Sequence, residues 1–250
     1  MNVLIDGLII NYRSIGKGKT ILLLHGWGDN LDTFAKLTHS GFKDYKLISV
    51  DLPGFGASDT PKGDYNLELY ADFISKFLKK INEENIYAVI GHSNGGAISI
   101  KAVANKLLNP KKMVLLASSG IRSESRSRNK FLRIIAKIAK LFTKLLPKKI
   151  REKIRRKVYK KIGSDLFVAE KMQGTFKNIV SEDLLEESRK ISVPTLLVYG
   201  SEDEMTPLKY GEKYNESIQN SKLEVIVGAR HMLHHAYYKE TRDIILEFLN

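Results

Sequence analysis

The chain has 250 residues, 43% of them hydrophobic and 28% charged, the balance of a globular protein with one large core or a core and an insertion. It contains no cysteine, which excludes disulfides, thiolate nucleophiles and cysteine-ligated metals. The net charge of +13 is unevenly placed: Arg122 to Lys161 holds 17 Lys or Arg against Glu124 and Glu152, a local +15, so the remainder is close to −2.

In chain order, MNVLI and LIINY flank Asp6-Gly7, a two-residue hairpin signal, and TILLL and KLISV then read as short buried strands. Helical patterns are predicted over residues 30–39 and 67–80, the second closing in Lys79 and Lys80. IYAVIGHS is a strand, NGGAISIKAVANKLL a helix and KKMVLLASSG a strand, after which a long basic helical stretch begins. PTLLVYG and KLEVIVG restore the strands, and a final helix is predicted from Tyr237 to Leu249. This alternation predicts an α/β fold with a mostly parallel sheet covered on both faces. The core is expected over residues 1–121 and 182–250, with 122–181 inserted as a basic helical cap. The N-terminus lacks the basic, apolar and small-residue regions of a signal peptide, and no apolar run of about 18 residues is present, so a soluble cytoplasmic protein is expected.

The chemistry starts at Gly91-His92-Ser93-Asn94-Gly95. Glycines two residues either side of the serine let strand and helix pass closely through a strained turn that lifts the hydroxyl above the sheet and aims the Asn94 backbone N–H at an oxyanion. This stretch resembles the nucleophile elbow, G-x-S-x-G, of the α/β-hydrolase fold family. The resemblance implies an eight-stranded, mostly parallel sheet flanked by helices. It also implies a base and an orienting acid later in the chain, in the order Ser, Asp or Glu, His.

Both are present. Asp203 in GSEDEMTP matches the family's acid in G-x-x-D-x-x-x-P, ahead of its neighbours Glu202 and Glu204, and His231 follows the last strand in VGARH. Each projects from the carboxyl edge of the sheet, where open α/β sheets build their sites. His25-Gly26-Trp27-Gly28 resembles the family's H-G-x-G oxyanion loop, which makes the Trp27 backbone N–H the second donor. The segment DLPGFGAS from Asp51 to Ser58 resembles a loop whose role in the family is structural. His25, His92, Met232 and His235 are candidates for lining the substrate pocket, with His92 also supporting the elbow and His234 packing.

GKGKT before the third strand fails the P-loop spacing, since the first glycine would fall on Arg13, and the histidines lack metal-ligand spacing; neither a metal nor a cofactor is expected. Within the insert, residues 131–146 form an amphipathic pattern with Arg133, Lys137, Lys140 and Lys144 on one face. The plain reading is a solvated lid; the alternatives are docking of an acidic carrier protein or an anionic membrane surface, and nucleic acid is not expected. A serine at the elbow disfavours the dehalogenase and epoxide hydrolase branches, which are similar but place an aspartate there. The expected function is a cofactor-independent, carboxylesterase-like serine hydrolase acting on a small acyl ester. The alternatives are a C–C bond hydrolase acting on an activated diketone and a non-catalytic small-molecule-binding protein of the same fold.

Overall fold

Asp6 and Gly7 both hold positive φ, 49° and 80°, the backbone that a tight two-residue hairpin turn requires. The first strands, β1 (Asn2–Ile5) and β2 (Leu8–Gly16), therefore fold back as an antiparallel pair in the register Leu4↔Ile9. The computed structural model describes residues 1–122 and 172–250. Its remaining strands are β3 (Lys19–Leu24), β4 (Tyr45–Val50), β5 (Ala88–His92), β6 (Lys112–Leu116), β7 (Thr195–Gly200) and β8 (Ser221–Ile226). They form one eight-stranded sheet in the order β1-β2-β4-β3-β5-β6-β7-β8. β2 pairs antiparallel with β4, and every pairing from β4 onward is parallel.

The apolar runs dictate this placement. Ile21 to Leu24 in β3 and Ala88 to Ile90 in β5 are at most 2% exposed, as strands covered on both faces must be. One apolar layer lies under the helices α2 (Leu67–Lys80) and α3 (Asn94–Ala104). The other lies under a 3-10 turn (Leu31–Phe34), the short α1 (Ala35–Thr38) and the closing helix. Asn66 caps α2, its Oδ1 accepting from the Leu69 N–H at 2.8 Å, and Lys79 and Lys80 sit at the carboxyl end, where the helix dipole favours cations. The helix predicted over 30–39 is thus a 3-10 turn followed by one α turn.

β3 is the switch point. From it the chain runs to β4 on one side and later to β5 on the other, which opens a crevice at the carboxyl ends of β3 and β5. The loop after β3 begins at His25 and the turn after β5 is Ser93.

The chain downstream of β6 returns through α4 (Gln173–Ser181) and α5 (Leu185–Ser188). The expected cap, 122–181, and its amphipathic segment 131–146 lie largely or wholly outside the described residues. Its last part packs onto the core: Thr175 Oγ1 accepts from the Tyr65 N–H at 2.8 Å, Asn178 Nδ2 donates to the Tyr65 carbonyl at 3.1 Å, and Phe176 lies 5.2 Å from Trp27 between ring centroids. Lys101 on α3 pairs with Glu182 at 3.2 Å and Glu187 at 2.8 Å, tying this return to the elbow helix.

The helix α6 (Leu208–Ser217) has no counterpart in the sequence reading. It buries only Gly211 and Tyr214, so it carries no apolar stripe to read. The closing helix is a short turn, α7 (Leu233–Ala236), and then α8 (Tyr238–Leu249). No helix among the described residues is long and apolar enough to cross a membrane.

Candidate active site

Ser93 has φ 51° and ψ −113°, a conformation that non-glycine residues adopt only where their surroundings enforce it. The enforcement is visible. A Cβ on Gly91 would come within 2.5 Å of the Gly95 carbonyl oxygen, and one on Gly95 within 2.1 Å of the Leu24 carbonyl oxygen, so both positions admit only glycine. The Ser93 N–H donates to the Leu116 carbonyl at 2.9 Å and the Ser93 carbonyl accepts from the Ser119 N–H at 3.1 Å, which ties the turn to β6.

The Ser93 hydroxyl does not cap α3. It lies 3.0 Å from His231 Nε2, while His231 Nδ1 lies 2.8 Å from Asp203 Oδ2. A carboxylate only accepts, so Nδ1 carries the imidazole proton and Nε2 presents its lone pair to the serine O–H. With no side chain capping it, the first turn of α3 keeps its N–H groups for an anion above the elbow.

Asp203 is held by more than His231. The N–H groups of Met205 and Thr206 donate to Oδ1 at 2.8 and 2.9 Å, and the Thr206 hydroxyl donates to Oδ2 at 2.7 Å. Burial opposes ionisation of this carboxyl, but the bonds from His231 and Thr206 outweigh it and hold Asp203 below the ordinary carboxylate value. Thr206 Oγ1 is also 2.9 Å from the Ala117 carbonyl and 3.1 Å from His231 Nδ1. One buried hydroxyl thus touches Asp203, His231 and the end of β6, the strand beside the elbow. Thr206 is not among the residues that the sequence motifs single out. Its signal was its place in GSEDEMTP, one residue before the proline that anchored the identification of Asp203.

The loop after β3 lies against the elbow. A Cβ on Gly26 would approach the Ser93 Cβ to 3.3 Å and His92 Nδ1 to 3.0 Å, so the backbone entering Trp27 runs directly beside Ser93. The Trp27 ring packs edge-on against Phe55 at 4.8 Å and against Phe176, and so reaches the return of the insert. Asp51 is structural: its carboxylate accepts from Asn11 Nδ2, the Leu31 N–H and the Ala57 N–H at 2.7, 2.7 and 2.8 Å.

Among the four pocket candidates, the histidines turn inward. His25 is fully buried, accepting at Nε2 from the Leu52 N–H at 3.0 Å and donating from Nδ1 to the Gly26 carbonyl at 2.7 Å, so it braces the loop from behind. His92 donates from Nε2 to the His231 carbonyl at 3.1 Å, and burial, reinforced by the neighbouring His231, pushes it down to about 3. It is a neutral prop under His231. His235 Nε2 donates to the Thr33 carbonyl at 2.8 Å. The reason is common to His25 and His92: a buried imidazole must spend its N–H on an acceptor, and in each the nearest one is backbone; His235, only partly buried, bonds backbone as well. Met232 alone stands half in solvent, beside His231.

Asp29, His234 and His235 offer metal-ligating atoms within 4.8 Å of one another. The Thr33 hydroxyl sits among them, donating to Asp29 Oδ2 at 2.6 Å and accepting from His234 Nε2 at 2.9 Å, with His235 Nε2 at 3.0 Å. The Thr33 hydroxyl proton goes to Asp29 and one of its lone pairs meets His234, while His235 Nε2 spends its proton on the Thr33 carbonyl, so these bonds pin the loop after Trp27 to α7.

Comparison with known proteins agrees with the fold. The alpha/beta hydrolase fold family matches residues 19–191. The AB hydrolase superfamily protein YisY of Bacillus subtilis (strain 168) is 26% identical over 253 residues, covering 95% of this chain and 94% of its own. The pimeloyl-[acyl-carrier protein] methyl ester esterase of Shewanella woodyi is 34% identical over 110 residues, 44% of this chain and 40% of its own. Among solved structures, the esterase EaEST from Exiguobacterium antarcticum superposes with a TM-score of 0.76 at 22% identity, covering 98% of this chain and 97% of its own. The chain belongs to the alpha/beta hydrolase fold family.

Proposed function

We propose that this chain is a cofactor-independent serine hydrolase that cleaves a small carboxylic ester, or a related acyl compound, through an acyl-enzyme. The observation that carries the reading is His231 bridging Ser93 at 3.0 Å and Asp203 at 2.8 Å, with its tautomer set for proton abstraction.

In this mechanism Ser93 Oγ attacks the carbonyl carbon as its proton passes to His231 Nε2. The oxyanion is met by the backbone N–H groups of Trp27 and Asn94, one from each side of the crevice, each such donor contributing about 3 kcal/mol to the transition state. Asp203 stabilises the imidazolium without taking its proton. His231 then protonates the departing alkoxide, and a water activated by the same nitrogen hydrolyses the acyl-enzyme. Trp27, packed between Phe55 and Phe176, couples the oxyanion loop to the return at Gln173–Ser181. The esterases named above support an ester substrate. The acyl-carrier ester in the name of one of them, with the +15 of residues 122–161, supports an acidic carrier as the partner of the basic insert.

The experiment is hydrolysis of p-nitrophenyl esters of increasing chain length by the wild type, Ser93→Ala and His231→Ala. Turnover falling by about four to six orders of magnitude in both variants supports the reading. Retention of wild-type turnover by either variant rejects it.

A further inference from the structure

Asn94 follows the nucleophile as the first residue of α3, and its side chain is buried, with the residue 3% exposed. Neither its Nδ2 nor its Oδ1 has a hydrogen-bond partner. Among the described residues, every buried side-chain nitrogen or oxygen left without a partner belongs to His92, Asn94 or His234. Two of these three residues flank Ser93.

The His92 and His234 atoms are single imidazole nitrogens on rings whose other nitrogen is bonded. Asn94 is different, because a whole amide is unmet: two donor hydrogens and an acceptor. Local structure gives no reason for it. Asparagine stabilises a helix start from the capping position, where its oxygen accepts from the first turn, but here Ser93 holds that position and Asn94 is already inside the helix, where asparagine is a weak former. An apolar residue would suit the site better. The Cα–Cβ bonds of a helix tilt toward its N-terminus, which for α3 is the carboxyl edge of the sheet, the edge that carries Ser93, His231 and the Trp27 loop.

We infer that the Asn94 side chain is a specificity-determining group that hydrogen-bonds a polar substituent on the acyl chain, close to the scissile carbonyl. This rests on the serine-hydrolase reading and sharpens its substrate class. An amide that offers both a donor and an acceptor is complemented by a hydroxyl or an amide, each of which carries both, and not by an alkyl chain. A site built to meet a polar group discriminates against the substrate that lacks it, because the buried protein group is then left unpaired. The backbone N–H of Asn94 serves the oxyanion whatever the side chain, so recognition and oxyanion binding reside on different atoms of one residue.

The test compares matched p-nitrophenyl esters within each protein: butanoate against 3-hydroxybutanoate for the hydroxyl, and pentanoate against the N-acetylglycine ester for the amide. Rates are corrected for each ester's alkaline hydrolysis. The wild type is expected to favour at least one polar partner by about tenfold or more in kcat/KM, and Asn94→Leu to bring that ratio close to one. Asn94→Leu is also expected to melt at the same temperature as the wild type or higher, because a leucine leaves no unmet amide. Asn94→Gln, which keeps the amide on a longer arm, is expected to retain part of the preference. Equal ratios in wild type and Asn94→Leu overturn the inference, and so does a lower melting temperature for Asn94→Leu, which would make the amide a structural group. Labelling by a fluorophosphonate separates the two levels: a labelled wild type with no preference between partners rejects only this inference, whereas an unlabelled one rejects the serine-hydrolase reading on which it stands.

Discussion

Replacing Thr206 by valine keeps the shape of the side chain and deletes one hydroxyl. That hydroxyl stands 2.7 Å from Asp203 Oδ2, 2.9 Å from the Ala117 carbonyl and 3.1 Å from His231 Nδ1. The Asp203 side chain is wholly inaccessible, so no water takes over the lost bond. A hydrogen bond to an ionised group is worth about 1.5 to 3 kcal/mol, and Thr206→Val is expected to lose stability by roughly that amount. The same bond helps to hold Asp203 below the ordinary carboxylate value, so its removal raises that value. Asp203 orients the base only while ionised; the acid limb that it sets therefore moves to higher pH. Thr206→Ser retains the hydroxyl and restores both. The assay is a pH profile of kcat on one p-nitrophenyl ester, with a urea melt of each variant. A valine variant that loses stability but keeps the wild-type profile would make Thr206 a packing residue only, and a serine variant that fails to restore the profile would refute the role given to the hydroxyl.

Acid should destabilise the fold through its buried imidazoles. Burial holds His25, His92 and His234 below their ordinary value, His92 at about 3. Below pH of about 6.5 the unfolded chain binds protons that the folded chain refuses, so stability falls as pH drops, by up to about 1.4 kcal/mol per pH unit for each group. Denaturant melts at pH 7 and pH 5 measure this, and equal midpoints contradict it. Gly95→Ala sets a Cβ within 2.1 Å of a backbone oxygen, so the elbow must move: a stability loss of about 2 to 4 kcal/mol together with collapsed turnover is expected, and near-native kinetics speak against the strained turn. For Lys101 and Glu187, burial opposes both charges, yet their mutual bond raises the lysine and lowers the carboxyl. The contribution of Glu187 is present above the ordinary carboxylate value and fades as pH falls through its lowered one, so Lys101→Met should cost about 1 to 3 kcal/mol at pH 7 and progressively less in acid. An unchanged melting midpoint at pH 7 would leave that pair without weight.

What the sequence disclosed follows from how local each feature is. Asp6-Gly7 announces its hairpin because only certain residues accept positive φ at both central positions. The elbow and GSEDEMTP are legible because a strained turn and a buried carboxylate each demand particular residues within five or eight positions. The alternation of buried runs with amphipathic ones sufficed for the sheet and its flanking helices. Features built across the chain were not legible. The roles of His25 and His92 depend on backbone acceptors at Gly26 and His231, and nothing at position 25 or 92 distinguishes a pocket wall from a brace. Thr206 acquires its partners only when β6, β7 and the loop after β8 meet. The helix from Leu208 to Ser217 packs through a glycine against the Tyr199 ring, an arrangement that leaves no hydrophobic period behind.

The decisive measurement is active-site labelling by a fluorophosphonate, with the modified peptide located by mass spectrometry. If His231 activates Ser93 as its position 3.0 Å away implies, the wild type is labelled stoichiometrically on Ser93. His231→Ala then reacts slower by orders of magnitude, and Ser93→Ala is not labelled at all. Labelling on another residue, or labelling of wild type and His231→Ala at equal rates, would contradict the assignment of Ser93, His231 and Asp203 as the working site.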